Sequence, residues 1–249
     1  MNIAVLVKLV PDTAAQIRLN AEKTWIETRD LNWVLSPYDE YAVEEALKTA
    51  EAKGGEVTAI TYGADAAAEA LRKSLAMGAH KAVHVKKDGF TDLLGTAQAL
   101  ANVLKDGAFD LIFAGYKATD DDCAAIGQMV ATLLDIPCIT EANKLEVGDG
   151  SLQAHREIEG GHEVIEAPLP CVVTAQKGLN EPRYPSLKGI MMAKKKPIDV
   201  VDAEDVAPRV ETVGMSYPPE RPAGKIVGEG TDAVPELVRL LREEARVID

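Results

Sequence analysis

Along the first 175 residues, short, mainly apolar runs without two-residue alternation separate longer segments whose apolar residues recur every three or four positions. The short runs are Ile3-Ala-Val-Leu-Val-Lys8, Glu56 to Tyr62, Lys81 to Val85, Asp110 to Gly115 and, later, Cys171 to Ala175, with a further short strand expected at Pro137 to Thr140. Strands buried on both faces of a parallel sheet read this way. The periodic segments predict helices. Ser36 serves as N-cap and Pro37 as first helical residue of one, with Ala42, Val43, Ala46 and Leu47 inward and Gly54-Gly55 as its stop. Ala64 to Met77 is a second, ended by Gly78; Thr91 to Leu104 is a third; Ala124 to Leu134, with Ile126, Met129, Val130, Leu133 and Leu134 in register, is a fourth. Strand and helix in alternation imply a mostly parallel, doubly wound (Rossmann-like) α/β sheet joined by right-handed crossovers.

The rhythm changes twice. Arg18 to Glu27 reads as a small hairpin or surface excursion around Asn20-Ala-Glu-Lys23. After Asn143, Ser151 to Glu159 and His162 to Ala167 flank Gly160-Gly161 and predict an antiparallel hairpin. Residues 178–198 combine three prolines, two glycines, Leu187, Ile190, Met191, Met192 and a lysine run, which reads as a loop with costly apolar exposure. Asp199 to Gly230, with Pro208, Pro218, Pro219 and Pro222, predicts an extended arm. It leads to an amphipathic helix over Thr231 to Val247, whose stripe is Leu237, Val238, Leu240 and Leu241.

Composition narrows the function. A formal net charge of −13 over 249 residues argues against a nucleic-acid or anionic-membrane partner. Three cysteines, Cys123, Cys138 and Cys171, lack metal-site spacing and predict reduced, mostly buried thiols. His80, His84, His155 and His162 show no zinc pattern and are expected in strand or hairpin surface roles, so no metal centre is expected. Met1-Asn2-Ile3 runs straight into the first strand and no apolar run is membrane-length, so a cytoplasmic chain without membrane insertion is expected.

Ligands of doubly wound sheets bind beyond the strands' carboxyl ends. That directs attention to the turns after Lys8, Tyr62 and Ala114 and to the helix start at Ser36. At Phe113-Ala-Gly-Tyr-Lys-Ala-Thr-Asp-Asp-Asp-Cys-Ala-Ala-Ile126 a strand passes through a polar turn into a helix, whose first N–H groups can hold phosphate without a dedicated cation. An ordinary connection whose aspartates cap the helix or face solvent accounts for the same residues, and the acidic run should not itself touch phosphate. There is no glycine-rich phosphate loop and no nucleophile–base set, so no catalytic residues are assigned.

End to end, the chain resembles the β (small) subunits of electron-transfer flavoproteins. The motifs are Val5-Leu-Val-Lys8, Ala42-Val-Glu-Glu-Ala46, Ala76-Met-Gly-Ala79, Asp120-Asp-Asp-Cys123 with Gly127-Gln-Met129, Arg156-Glu-Ile-Glu-Gly-Gly161 and Leu179-Asn-Glu-Pro-Arg-Tyr184 followed by Ala193-Lys-Lys-Lys196. The last pair is the most diagnostic. The resemblance implies a heterodimer with an α subunit that carries most contacts to a redox-active FAD, the flavin supplying the chemistry. It implies AMP in the β subunit, on Leu6, Ser36, Pro37, Tyr38, Asp39, Tyr62, and Gly115, Tyr116, Lys117, Ala118, Thr119, Asp120, Asp121, Asp122, Cys123, Ala124, Ala125 and Ile126. Many AMP-binding members have Asn-Gln-Thr where this chain has Ala124-Ala125-Ile126, which leaves backbone N–H groups to hold the phosphate. Flavin-bifurcating members place a second FAD here and often have Gly and Pro where this chain has Asp121 and Gln128, so AMP is favoured.

The resemblance further implies an acyl-CoA or related dehydrogenase as electron donor, docking on Leu187 as anchor with Lys188, Ile190, Met191, Lys194, Lys195 and Lys196 around it. A quinone oxidoreductase or other acceptor takes the electrons on. The expected organisation is a nucleotide-binding domain over 1–198, including the docking loop 178–198, and an arm with terminal helix over 199–249 packing on the α subunit. The alternative of a stand-alone adenine-nucleotide-binding regulator should show a late glycine-rich phosphate motif and no long carboxyl-terminal arm. This chain has the reverse.

Overall fold

A computed structural model describes residues 1–89, 91–221 and 223–248. The six apolar runs become parallel strands of one sheet, β1 (Asn2–Leu6), β4 (Glu56–Gly63), β5 (Lys81–Lys86), β6 (Leu111–Gly115), β7 (Cys138–Ala142) and β11 (Cys171–Ala175), and a seventh, β12 (Asp199–Asp202), joins them at its edge. Their spatial order is β12-β5-β4-β1-β6-β11-β7. β2 (Leu9–Pro11) and β3 (Trp33–Leu35) form a small antiparallel ribbon, and β8 (Lys144–Val147), β9 (Ser151–Ile158) and β10 (Gly161–Pro168) a three-stranded antiparallel sheet. The chain winds from β1 outward through β4 to β5, then returns to place β6 on β1's other side. β1 and β6 thus define the point where winding reverses, and the crevice there is where such sheets take ligands.

Two apolar layers flank the sheet. On one side α1 (Pro37–Lys53) and α2 (Ala68–Met77) pack with Ile3, Val5, Val57, Leu111 and Phe113; on the other, α3 (Leu93–Asp106) and α4 (Ile126–Leu134) pack with Ala4, Leu6, Ile60, Ile112 and Val172. The expected α1 stripe, Ala42, Val43, Ala46 and Leu47, is buried. Asp92 caps α3 by accepting from the Gly95 N–H at 2.8 Å.

Several expectations need correction. Residues 187–195, read as a loop, form helix α5 (Leu187–Lys195), because Ser186 caps it by accepting from the Gly189 N–H at 3.0 Å. Asp199 to Asp202, read as the start of the arm, is strand β12 on the edge of the main sheet, paired with β5. β2, β3 and β8 were not anticipated, each being only three or four residues long. Of the histidines expected at the surface, His84 is buried, its Nε2 2.8 Å from the Gly63 carbonyl oxygen. Cys123 is exposed, Cys138 half-buried and Cys171 buried, all free.

Beyond β12 the chain lies in part on its own surface. Arg209 and Val210 donate backbone N–H groups to Asp92 Oδ2 at 2.6 and 3.1 Å, Met215 donates to the Lys23 carbonyl at 2.7 Å, and the Tyr217 hydroxyl accepts from the Leu19 N–H at 2.9 Å. Pro222, one of the four prolines of this stretch, lies outside the described residues. The chain closes with α6 (Val234–Glu243), which buries none of its described residues. Among the described residues, no helix is long and apolar enough to cross a membrane.

Candidate functional site

The turns selected from sequence do converge, because β4, β1 and β6 are neighbours. Asp39, in the first turn of α1, ties two of them. Its Oδ2 accepts from the Lys8 N–H at 2.7 Å and its Oδ1 from the Gly115 N–H at 3.0 Å, so one carboxyl group bridges the chain leaving β1 and the end of β6. Burial pushes this carboxyl up to about 7, although the two N–H donors and the Lys8 charge favour its ionised form. The approach is close: a Cβ on Gly115 would stand 2.4 Å from Asp39 Oδ1 and 2.9 Å from the Asp39 nitrogen. Only glycine lets β6 end against the α1 start.

Beyond Gly115 the chain makes the polar turn. Tyr116 meets Tyr38 edge-to-face with ring centroids 4.4 Å apart, and their hydroxyls are 3.4 Å apart. The acidic run does not cap α4 but lies exposed, the second of the two roles expected of it. Lys8 Nζ lies 2.8 Å from carboxylate oxygens of both Asp120 and Asp121, and Lys117 Nζ lies 2.7 Å from Asp122. Burial works against the Lys8 charge, but the two carboxylates outweigh it and hold its pKa above the ordinary lysine value. Burial likewise opposes the charge on Asp121, and Lys8 overcomes it, holding that carboxyl below the usual range. α4 accordingly has Ala125 at its N-cap with no side-chain cap, which leaves its first N–H groups free of side-chain acceptors. Asp122 and Ala124 both take left-handed φ, at 54° and 48°, bending the turn into the helix.

Three buried polar atoms in this region have no protein partner: Ser36 Oγ at the start of α1, Thr119 Oγ1 in the turn, and Gln128 Oε1 in the first turn of α4. The Gln128 amide nitrogen is occupied by the Ala124 carbonyl at 2.9 Å, so its oxygen is left as an acceptor only. Unpartnered buried polar atoms are costly, and each of the three is open to a partner from outside the chain. Hydroxyls can donate to phosphate or ribose oxygens, and an amide oxygen can accept from an amino or hydroxyl group. Leu6 is buried beneath the cleft and Tyr62 is half-buried at the end of β4. No group of three or more His, Cys, Asp or Glu among the described residues is placed to hold a metal.

The second candidate region is α5. Leu187 is 83% exposed and Met191 67%, with Ile190 and Met192 also exposed, so Leu187 does not pack into this chain's own core. Lys188, Lys194 and Lys195 are exposed beside them, while Lys196 turns back to donate to the Ala79 carbonyl at 2.7 Å.

The segment before α5 is clamped by residues that sequence reasoning noted but gave no role. Arg183 reaches Glu44 through Nε at 2.8 Å and Nη2 at 3.0 Å, and Glu51 through Nη1 at 2.6 Å. Asn180 Nδ2 donates to Glu45 at 2.9 Å and to the Tyr41 carbonyl at 3.0 Å. The signal was the pair of adjacent glutamates on an otherwise buried helix face, whose charges require partners.

The sheet and its flanking helices define a doubly wound α/β protein. A family model described as "Electron transfer flavoprotein domain" matches residues 23–206. The chain is 43% identical to "Electron transfer flavoprotein subunit beta" of Bacillus subtilis (strain 168), over the whole of both chains. It is 40% identical to the mitochondrial subunit beta of Oryza sativa subsp. indica, again over both whole chains. Identity to subunit beta of Mus musculus is 39%, over 98% of this chain and 97% of that one. This chain belongs to the electron transfer flavoprotein family, among the β subunits.

Proposed function

We propose that the chain pairs with an electron-transfer flavoprotein α subunit, whose FAD carries electrons from an acyl-CoA or related dehydrogenase to a quinone oxidoreductase or another acceptor. The observation that carries the nucleotide part is the set of unpartnered Ser36, Thr119 and Gln128 atoms beside the uncapped start of α4. AMP fits that set: hydroxyls and helix N–H groups suit phosphate and ribose, and a lone acceptor oxygen suits an amino group. FAD supplies the redox chemistry when bound; this chain contributes placement and electrostatics. Residues 1–198 form the nucleotide-binding and docking unit, and 199–249 contribute the arm and α6, whose uncovered apolar stripe packs on the α subunit. Leu187, with Ile190, Met191 and the exposed lysines, is the dehydrogenase-docking face, and the complex works in the cytoplasm.

Co-expression with the α subunit tests this. A yellow complex is expected, with about one AMP released per heterodimer and identified by mass, while the isolated chain carries no reducible flavin. Two FAD and no AMP would replace AMP with a second flavin in the cleft. A monomeric chain holding stoichiometric, reducible flavin after gel filtration would overturn the heterodimer itself.

A further inference from the structure

Helix α5 carries its small residues inward and its large ones outward. Gly189 and Ala193, four positions apart, face α2: Ala193 is buried, and a Cβ on Gly189 would stand 2.6 Å from the Ala76 carbonyl oxygen. Leu187, Ile190, Met191 and Met192 are exposed. Apolar burial therefore does little to hold this helix on the molecule, and its seat depends on polar bonds at its ends. At the carboxyl end, Arg72 of α2 donates from Nη1 to the carbonyl oxygens of Ala193 at 2.7 Å and Lys196 at 2.6 Å. Lys196 answers by donating to the Ala79 carbonyl just past the end of α2, at 2.7 Å.

Arg72 is half-buried and forms no ion pair among the described residues. Its guanidinium is committed to two carbonyls at the end of a helix, acceptors that would otherwise lack partners, where a positive charge also meets the negative end of the helix dipole. Lysines 194 and 195 occupy the same last turn but are exposed, and neither braces α5 against α2.

We infer that Arg72 is a positioning residue for partner docking: by pinning the carboxyl end of α5 to α2 it sets the orientation at which Leu187 and Met191 meet the dehydrogenase. This rests on the docking role proposed above. A recognition helix held in its binding orientation loses less freedom on association than one that pivots. Freed of these two bonds, α5 would swing about the Gly189 contact and present its apolar face in many orientations.

The test uses the α/β complex as acceptor for a purified acyl-CoA dehydrogenase reduced by its acyl-CoA. Arg72→Gln should raise the KM for the complex by roughly tenfold, the loss expected for charge-assisted hydrogen bonds, with FAD content and flavin spectrum unchanged. Hydrogen exchange should quicken over 187–196 and nowhere else. Arg72→Lys should restore only part, because both bonds come from Nη1 and the shorter lysine side chain falls short of that position.

The deciding comparison is Arg72→Gln in a Leu187→Ala background. If Arg72 acts through α5, Arg72→Gln costs less in the Leu187→Ala background than in wild type, the remainder being the part that acts through Met191; effects that multiply in full would overturn the inference. If Leu187→Ala leaves electron transfer untouched, the docking reading fails; if Leu187→Ala weakens it and Arg72→Gln does not, only the Arg72 inference fails. Should Arg72→Gln lower the melting temperature, Gly189→Ala supplies the same comparison. It pushes α5 away from the Ala76 carbonyl without touching Arg72, and a KM unchanged in that variant would count against the inference.

Discussion

At the carboxyl ends of β1 and β6, polar atoms are buried without partners, whereas on α5 apolar side chains are exposed without cover. Ser36 Oγ, Thr119 Oγ1 and Gln128 Oε1 lie inside and unbonded; Leu187, Met191 and Met192 lie outside and unpacked. The two defects call for different partners. An orphan polar atom in an interior is satisfied by a small ligand that brings matching donors and acceptors. An orphan apolar side chain on a surface is satisfied only by another surface large enough to exclude water. The supports differ too, since the junction of β1 and β6 is braced by Asp39, a carboxyl group with no ion-pair partner among the described residues, and the segment before α5 by Arg183, a guanidinium with two.

The largest expected effect tests the cleft's brace. Asp39 titrates near 4 in an unfolded chain and at about 7 here, so between those values the folded protein holds a proton that the unfolded one has lost. Its contribution is therefore most favourable below pH 4, declines as pH rises to 7, and is flat above, a total swing of up to about 4 kcal/mol. Urea unfolding of the complex across pH 5 to 8 should show the advantage of wild type over Asp39→Asn shrinking with rising pH. A difference independent of pH would mean that the Asp39 carboxyl has the same pKa in the folded and unfolded chain.

A smaller loss is expected on the other side of the comparison. Arg183→Ala leaves Glu44 without its cation, and the Glu44 side chain is only 6% exposed. A fully buried pair broken this way costs ~3–5 kcal/mol; the guanidinium is about a third exposed, which reduces the figure to about 2–3 kcal/mol. Proteolysis should begin near residues 178–186 while AMP content holds. Loss of AMP in step with that cleavage would show that the two regions are not separately supported.

How much of this was legible depends on which way the side chains face. Six of the seven strands of the main sheet followed from runs such as Leu111-Ile-Phe-Ala-Gly115, because a strand covered on both faces needs no alternation to be recognised. The cleft was legible as a place, since Ser36, Asp39 and Gly115 sit where strands end and helices begin. Its bonding was not: Lys8 pairs with Asp120 and Asp121 across 112 and 113 residues of chain, and nothing local signals that. The aspartates looked like helix caps because capping is the commonest use of carboxylates before a helix, yet Lys8 took two of them. α5 was missed because periodicity arguments assume that the apolar face points inward, and here Gly189 and Ala193 take that face. β12 was missed because Asp-Val-Val-Asp is four exposed residues, held by the backbone ladder to β5 rather than by burial.

The smallest expected effect falls on the outward face. Leu187 is 83% exposed at the first turn of α5, beside exposed Met191 and Ile190. Removing an exposed side chain takes nothing from folding, so Leu187→Ala should leave the complex's melting temperature and flavin content unchanged. On a dehydrogenase surface the same side chain would be an anchor, buried at the centre of the contact with lysines 188, 194 and 195 as a charged rim. Its loss should then weaken binding by ~1–3 kcal/mol, the value of a leucine side chain withdrawn from water. Higher salt should slow association in wild type and variant alike, because the rim is intact in both. Electron transfer and melting temperature measured on one preparation divide the outcomes. Weakened transfer with unchanged melting fits an anchor, whereas lowered melting with transfer intact would place Leu187 in the fold and leave the outer face of α5 without a partner.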